Sequence, residues 1–297
     1  MRLFLLPIST RRTLIYCERV NKKLPPGEKP PIVDRVTGKA NETWAEWEKA
    51  EKGWKKMLTE YGNKVFTRIP FAEWGLKTIP PISAERQAAA LAGKETPEVV
   101  FPGAFLPSNR VTSVLHKLAT ERQALHRKRM WWSVVGMPIS VPFALVPIVP
   151  NIPFFYLAFR AWSHYRALYG SQYLEFLVDK KLIKPTPSTS LDELYTAGLT
   201  YTTRAESREA PMPTEEHTAK VSKTFATAHG EGSEEFMLLR RWNGKLLAEH
   251  FKLPEMEIEI ERAVEQVEKA LEADRALQQE KRALDKATAQ PPQQKQD

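Results

Sequence analysis

The sequence predicts a mainly α fold with a minor β element near the N-terminus, organised as a helical membrane protein with a proline-rich apolar hairpin. Three observations carry that prediction. Residues 131–159, WWSVVGMPISVPFALVPIVPNIPFFYLAF, are 29 uncharged residues in a row, more than the roughly 20 that a bilayer-crossing helix needs. Apolar residues recur at helical spacing both before and after this stretch. Strand-like runs are confined to the first 20 residues, MRLFLLPISTRRTLIYCERV.

In order along the chain, Leu3 to Ile8 reads as a strand, with Pro7 keeping it near an edge or a strand end. Ser9–Arg12 would turn, and Thr13–Tyr16 would follow as a second strand or a helix start. Residues 21–40 are rich in Pro, Gly and Lys and read as a loop. A helix is expected over 41–61, with Thr43 and Glu46 at capping-box spacing and a stripe of Trp44, Trp47, Trp54, Leu58 and Tyr61. Residues 62–82 are again punctuated by Gly and Pro. Ser83 starts a short helix that Gly93 ends. Val111, Val114, Leu115, Leu118 and Leu125 mark an amphipathic helix that runs into HRKRMWW.

The uncharged segment holds Pro138, Pro142, Pro147, Pro150 and Pro153, each of which removes a backbone donor. A straight span is therefore disfavoured in lipid, and a hairpin turning at VPIVPNIP is expected. Arg127, Lys128 and Arg129 with Trp131 and Trp132 have the composition of membrane-interface anchors. With Lys180, Lys181 and Lys184 at the other end, both flanks would face the same side of the membrane. After PTPSTS, Ser190 and Glu193 cap a short helix, and 200–233 reads as a polar flexible segment. EEFMLLRRWNGKLLAEHF makes one helix or two broken near Asn243-Gly244, and Pro254 begins an acid-led helix that fades into a disordered tail. Four regions follow: a basic N-terminal region 1–130, a membrane-inserted hairpin 131–178, a polar linker region 179–235 and an acidic C-terminal region 236–297.

Charge is distributed unevenly. Residues 1–190 carry 29 Lys+Arg against 15 Asp+Glu (net +14), and 191–297 carry 15 against 21 (net −6). A basic front suits an anionic surface, and basic residues beside an apolar anchor suit lipid headgroups rather than nucleic acid. The single Cys17 allows no intrachain disulfide and no thiolate metal site. No phosphate-binding glycine loop, nucleophile elbow or helical His pair at i,i+4 spacing is present, so no enzyme activity, cofactor or metal is expected. An ion path would need ionisable groups at membrane depth, and His164, Glu175 and Arg160 on the second arm are the candidates. The competing reading places them at the interface, with Arg160 snorkelling.

The N-terminal words MRLFLLPISTRRTLIYCERV, joined to the basic-flanked, proline-rich apolar segment, resemble the mitochondrial K+/H+ exchange-related family of eukaryotic, largely fungal, proteins. The likeness runs from residue 1 to about 190 and more loosely into the helix after Pro254. It implies an inner-membrane location and a role in potassium–proton exchange and in matrix cation and volume homeostasis. The absence of acids from the apolar segment points to a component or regulator of exchange, with protein partners or a homo-oligomer supplying the rest. The alternative is a membrane-anchored scaffold or assembly factor that binds a basic partner through its acidic C-terminal helix. Because the most specific words of the resemblance are the first twenty residues, they are expected to stay in the mature chain with Leu3, Leu5, Tyr16 and Cys17 packed inside.

Overall fold

The computed structural model describes residues 1–18, 39, 42–94, 96–142, 151–228 and 235–289. The expected loop over 21–40, the turn of the apolar hairpin at 146–150 and the C-terminal tail beyond 289 lie almost wholly outside those residues.

The N-terminal words form the centre of the molecule. β1 (Arg2–Pro7) and β2 (Thr13–Cys17) pair antiparallel, Leu3 opposite Cys17 and Leu5 opposite Ile15. The turn between them is held by Ser9, whose Oγ accepts the Arg12 amide at 3.0 Å. β3 (Glu98–Phe101) then adds parallel to β1, and β4 (Lys184–Pro187) parallel to β3, giving the order β2-β1-β3-β4. The prolines of β4 sit on an edge, where a missing amide costs no ladder bond. Successive side chains of a strand face opposite sides, and here both sides are apolar. Leu3, Leu5, Val99 and Phe101 pack into one core, and Phe4, Leu6 and Val100 into another. The sheet is therefore sandwiched between two helical layers, as a continuous apolar run such as LFLL requires.

On the first side lie α2 (Phe71–Thr78), α3 (Ala84–Leu91), α4 (Ser108–Thr120) and α6 (Ile152–Asp179), with Leu76, Leu115, Ala167 and Leu174 among the residues of that core. α1 (Trp54–Thr67) and α5 (Gln123–Ser140) attach to α6, Phe66 on Phe159 and Gly136 on Leu157. The second side is built by α7 (Thr189–Thr200), α10 (Arg241–Phe251) and α11 (Pro254–Ala289) through Leu191, Leu247, Ile260 and Val264. Two further helices, α8 (Arg204–Glu209) and α9 (Glu215–Ala228), occupy the stretch expected to be flexible. Leu3, Leu5, Tyr16 and Cys17 are all buried.

Several expectations are corrected. The membrane-crossing hairpin is the main one: among the described residues no helix is long and apolar enough to cross a membrane. α5 and α6 do form an antiparallel hairpin, with Gly136 against Leu157 and Gln123 bonded to Glu175. However, α5 carries Arg127, Lys128 and Arg129 in its second turn and ends at Ser140. α6 is long enough, but its buried face carries Arg160, Ser163, His164 and Ser171, and its second half is core against the sheet. The described residues are thus mainly helical around a small sheet that organises them, and none of their helices makes the expected membrane span. The single helix expected over 41–61 is broken by Gly53, whose φ of 96° suits glycine. The punctuated stretch 62–82 contains α2, and the segments around 98 and 184 are strands. Both escape a reading by period because each is too short to show one.

Candidate functional site

The most unusual chemistry in the protein is a buried polar cluster where α2, α5 and α6 meet. α2 is short and bounded by Pro70 at its start and Pro80-Pro81 after its end. Its first turn is capped from across the molecule: Gln266 of α11 accepts the Phe71 amide at 2.9 Å and donates to the carbonyls of Thr67 and Ile69. Two glycines let neighbouring backbone reach it. A Cβ on Gly75 would strike the Ile15 carbonyl of β2, and one on Gly170 would strike the Leu76 carbonyl. Held this close, α2 turns Glu73 and Lys77, one helical turn apart, toward α6.

Glu73 is almost solvent-free and accepts three hydrogen bonds, from Arg160 Nη1 at 2.8 Å, Arg160 Nη2 at 3.2 Å and Ser163 Oγ at 2.6 Å. Burial alone would push its pKa up. The Ser163 hydrogen bond and the Arg160 charge outweigh it and hold the carboxyl below its ordinary value. Arg160 Nη2 also lies 2.9 Å from His164 Nε2. His164 Nδ1 lies 3.1 Å from Nδ1 of His126 on α5, and both rings are buried. Burial, reinforced by the Arg160 charge, lowers each imidazole to about 4, against the opposing pull of Glu73.

The protons of this chain can be placed by elimination. A guanidinium only donates, so His164 Nε2 must offer its lone pair and the His164 proton sits on Nδ1. That proton is donated to Nδ1 of His126, whose own proton is then on Nε2. Among the described residues, His126 Nε2 has no hydrogen-bond partner. The order is carboxylate, guanidinium, imidazole, imidazole, with one proton between the two rings.

Glu73, His126 and His164 also bring three metal-ligand atoms within 4.8 Å of one another. Their surroundings do not suit a metal. Arg160 covers both carboxylate oxygens, and the outward His164 nitrogen faces a donor where a metal-bound histidine needs an acceptor. The arrangement is suited to holding a proton.

Beside the cluster, the Lys77 ammonium lies 3.5 Å from the Trp74 ring centre, with Phe159 and Trp162 at 5.2 and 5.3 Å. It has no hydrogen-bond partner among the described residues, and burial lowers its pKa to about 7.

Of the residues read from sequence as an ion path, the structure brings Arg160 and His164 together. Glu175 is separate, bonded by Gln123 at 2.6 Å and roughly 16 Å further along α6 by helical rise. Arg127, Lys128, Arg129, Trp131 and Trp132 are exposed on α5, just beyond His126. Glu73, His126, Ser163 and Lys77 were missed. The usable signals were two i,i+4 pairs, Glu73 with Lys77 and Arg160 with His164, in otherwise apolar helices.

Comparison with known proteins places the chain within a family. The chain is 26% identical over 204 residues to an uncharacterized protein of Schizosaccharomyces pombe, covering 67% of this chain and 85% of that one. It is 20% identical over 234 residues to an uncharacterized protein of Saccharomyces cerevisiae, covering 71% and 73%. No solved structure matches. A family model described as mitochondrial K+-H+ exchange-related matches residues 2–178, a span that contains β1 to β3 and every member of the buried cluster. The chain therefore belongs to the mitochondrial K+-H+ exchange-related family.

Proposed function

We propose that the protein is a component or regulator of potassium–proton exchange across the mitochondrial inner membrane, contributing to matrix cation and volume homeostasis. It would be docked on the matrix face by the free end of the α5–α6 hairpin. The observation that carries the docking is the surface of that end. Trp131 and Trp132 are 60% and 67% exposed, Ile139 72% and Phe155 63%, with Val134, Val135 and Val141 also uncovered. So much contiguous apolar surface marks an interaction site. At its root stand the exposed Arg127, Lys128 and Arg129, which complement anionic headgroups. From Trp132 to Ser140, α5 rises only about 12 Å, enough to enter one leaflet of a hydrocarbon core roughly 30 Å thick. The role in exchange is supported by the family to which the chain belongs.

Within this reading the protein acts on an exchanger rather than as a lone pore. The uncharged end offers no ionisable partner for an ion, and Arg160 and His164 are engaged with Glu73 and His126. Flotation with vesicles tests the docking. The protein should rise with vesicles rich in anionic lipid and not with neutral ones, and Trp131→Ala with Trp132→Ala should abolish the difference. Failure to associate with anionic vesicles would remove the docking. Potassium-driven swelling of mitochondria lacking the protein tests the role, and unaltered swelling would remove it.

A scaffold reading draws support from α11, whose residues 272–285 are all exposed. Its clean test is truncation after Leu271, because Met256, Ile260, Val264 and Val267 belong to the core. Loss of a co-purifying partner with exchange intact would favour it.

A further inference from the structure

We propose that His126 and His164 form a proton-operated switch at the root of the hairpin: neutral, they hold α5 against α6, and the uptake of one proton parts them. The inference concerns the protein alone and needs neither a membrane nor the exchange role.

The argument is one of hydrogen-bond polarity. As built, the pair shares one proton across 3.1 Å, from His164 Nδ1 to His126 Nδ1, while His164 Nε2 accepts from Arg160. An added proton has only two places to go. On His126 Nδ1 it faces the His164 N–H, donor against donor. On His164 Nε2 it faces the Arg160 guanidinium. Moving the His164 proton from Nδ1 to Nε2 to make room for the first only recreates the second conflict. Every protonated arrangement therefore loses a contact.

Which contact yields follows from what fixes each group. Arg160 is pinned by both Glu73 oxygens, and it shares α6 with His164 one turn away. His126 stands on the other helix, with Nδ1 on His164 and nothing on Nε2 among the described residues. Parting α5 from α6 lets water reach that buried N–H, so opening satisfies a donor that the closed state leaves bare.

The charges around the pair oppose a proton while it is closed. Arg160 of α6 and Arg129 of α5 disfavour an imidazolium on either ring, Arg122 just before α5 disfavours one on His126, and His126 disfavours one on His164. Lys77 of α2 adds a further cation beside Glu73 and Arg160. Glu73 of α2 is the acid that favours one, its Oε2 lying 3.7 Å from His164 Nδ1, but its hydrogen bonds go to Arg160 and Ser163. In water an imidazole titrates near 6.5. The open form thus takes up the proton below that pH and the closed form resists it.

Hydrogen exchange of the full chain between pH 7.5 and 4.5 tests the switch. Protection of residues 123–140 should fall about tenfold per pH unit below 6.5, as one coupled proton requires. Protection of the sheet strands should change far less. His126→Gln should remove the pH dependence while the protein stays folded at pH 7.5. As a second readout that needs no histidine variant, spin labels at the exposed positions 132 and 155 should show a longer distance population growing over the same range. Uniform protection across the pH range, or an acid response that persists in His126→Gln, overturns the proposal. Stoichiometric zinc retained at pH 7.5 also overturns it, because a metal there would require lone pairs on both Nδ1 atoms.

Discussion

Glu73 and Arg160 meet in a two-pronged ion pair, 2.8 and 3.2 Å, that joins α2 to α6 away from solvent. The guanidinium has a second task, since its Nη2 also reaches His164 Nε2. One side chain therefore neutralises the carboxylate and sets the tautomer of the histidine pair. This residue adds a polar tie between the hairpin and the body to the apolar one that Ala167 and Leu174 make.

Removing one partner should be far worse than removing both. Arg160→Met leaves a buried carboxylate with Ser163 as its remaining donor, at a cost of about 3–5 kcal/mol. Glu73→Gln strands the guanidinium at a similar cost. The double variant replaces the pair by neutral groups and should lose clearly less than the two single costs added together. Urea unfolding of the three variants measures this, and simple additivity would show that the two residues act independently.

Acid should destabilise the whole protein as well as the hairpin. Both histidines are lowered to about 4 in the folded chain, against 6.5 unfolded. Between those values the unfolded chain binds more protons, so stability rises with pH there. The contribution is complete above about 6.5 and is lost as pH falls toward 4. Carboxylates add their own acid sensitivity at the lower end, so the diagnostic interval is pH 6.5 to 5. His126→Gln combined with His164→Gln should flatten the urea midpoint across that interval.

How much of this was legible in sequence can be traced residue by residue. β1 was read within a residue at each end because LFLL is an apolar run closed by a turn, whereas TLIY was placed within a residue but left open between a strand and a helix start. β3 and β4 were not read as strands, since four residues such as KPTP become a strand only by lying beside a partner. The uncharged run at 131–159 was seen for what its composition is, but composition is silent on what surrounds a helix. Thr78 and Gly170 belong to contacts between segments far apart in sequence, as does Glu73 with Arg160, 87 residues away. A single sequence displays local periods well and such pairings hardly at all. His164 and Arg160 drew notice as charges in an apolar helix, whereas Glu73 lay hidden between prolines.

The close approach of α2 and α6 yields a steric prediction. Gly170→Ala adds one methyl group, yet it would collide with the Leu76 carbonyl and crowd that of Ile79 at 3.1 Å. Backbone cannot swing aside as a flexible side chain can, so the helices must separate. The overpacking should cost about 1–3 kcal/mol, although alanine is the better helix former. Because separation lengthens the Glu73–Arg160 contact, Gly170→Ala and Arg160→Met should be non-additive in a double-mutant cycle. A stabilising effect of Gly170→Ala in thermal unfolding would contradict this packing.

Lys77 is the residue whose removal should help. Its ammonium is buried among Trp74, Phe159 and Trp162 without a hydrogen-bond acceptor among the described residues, and burial lowers its pKa to about 7 from 10.5. Between pH 7 and 10.5 the unfolded chain binds more protons, so the wild type gains stability as pH rises through that range. Lys77→Met keeps the stem in the aromatic pocket and discards the desolvated amine. It forfeits the attraction to the ring faces, about 1–2 kcal/mol, and the pull of Glu73. Replacement of a buried charge by a well-packed apolar group is nonetheless often neutral or stabilising by about 1–4 kcal/mol. The variant should therefore be at least as stable as wild type at pH 7. Its advantage should be largest below pH 7 and shrink as pH rises toward 10.5, where wild-type Lys77 is neutral in both states. Urea midpoints of the two proteins at pH 6.5, 8 and 9.5 supply the comparison. An advantage that grew with pH would mean that Lys77 is held by an acceptor and is not a bare cation in an aromatic pocket.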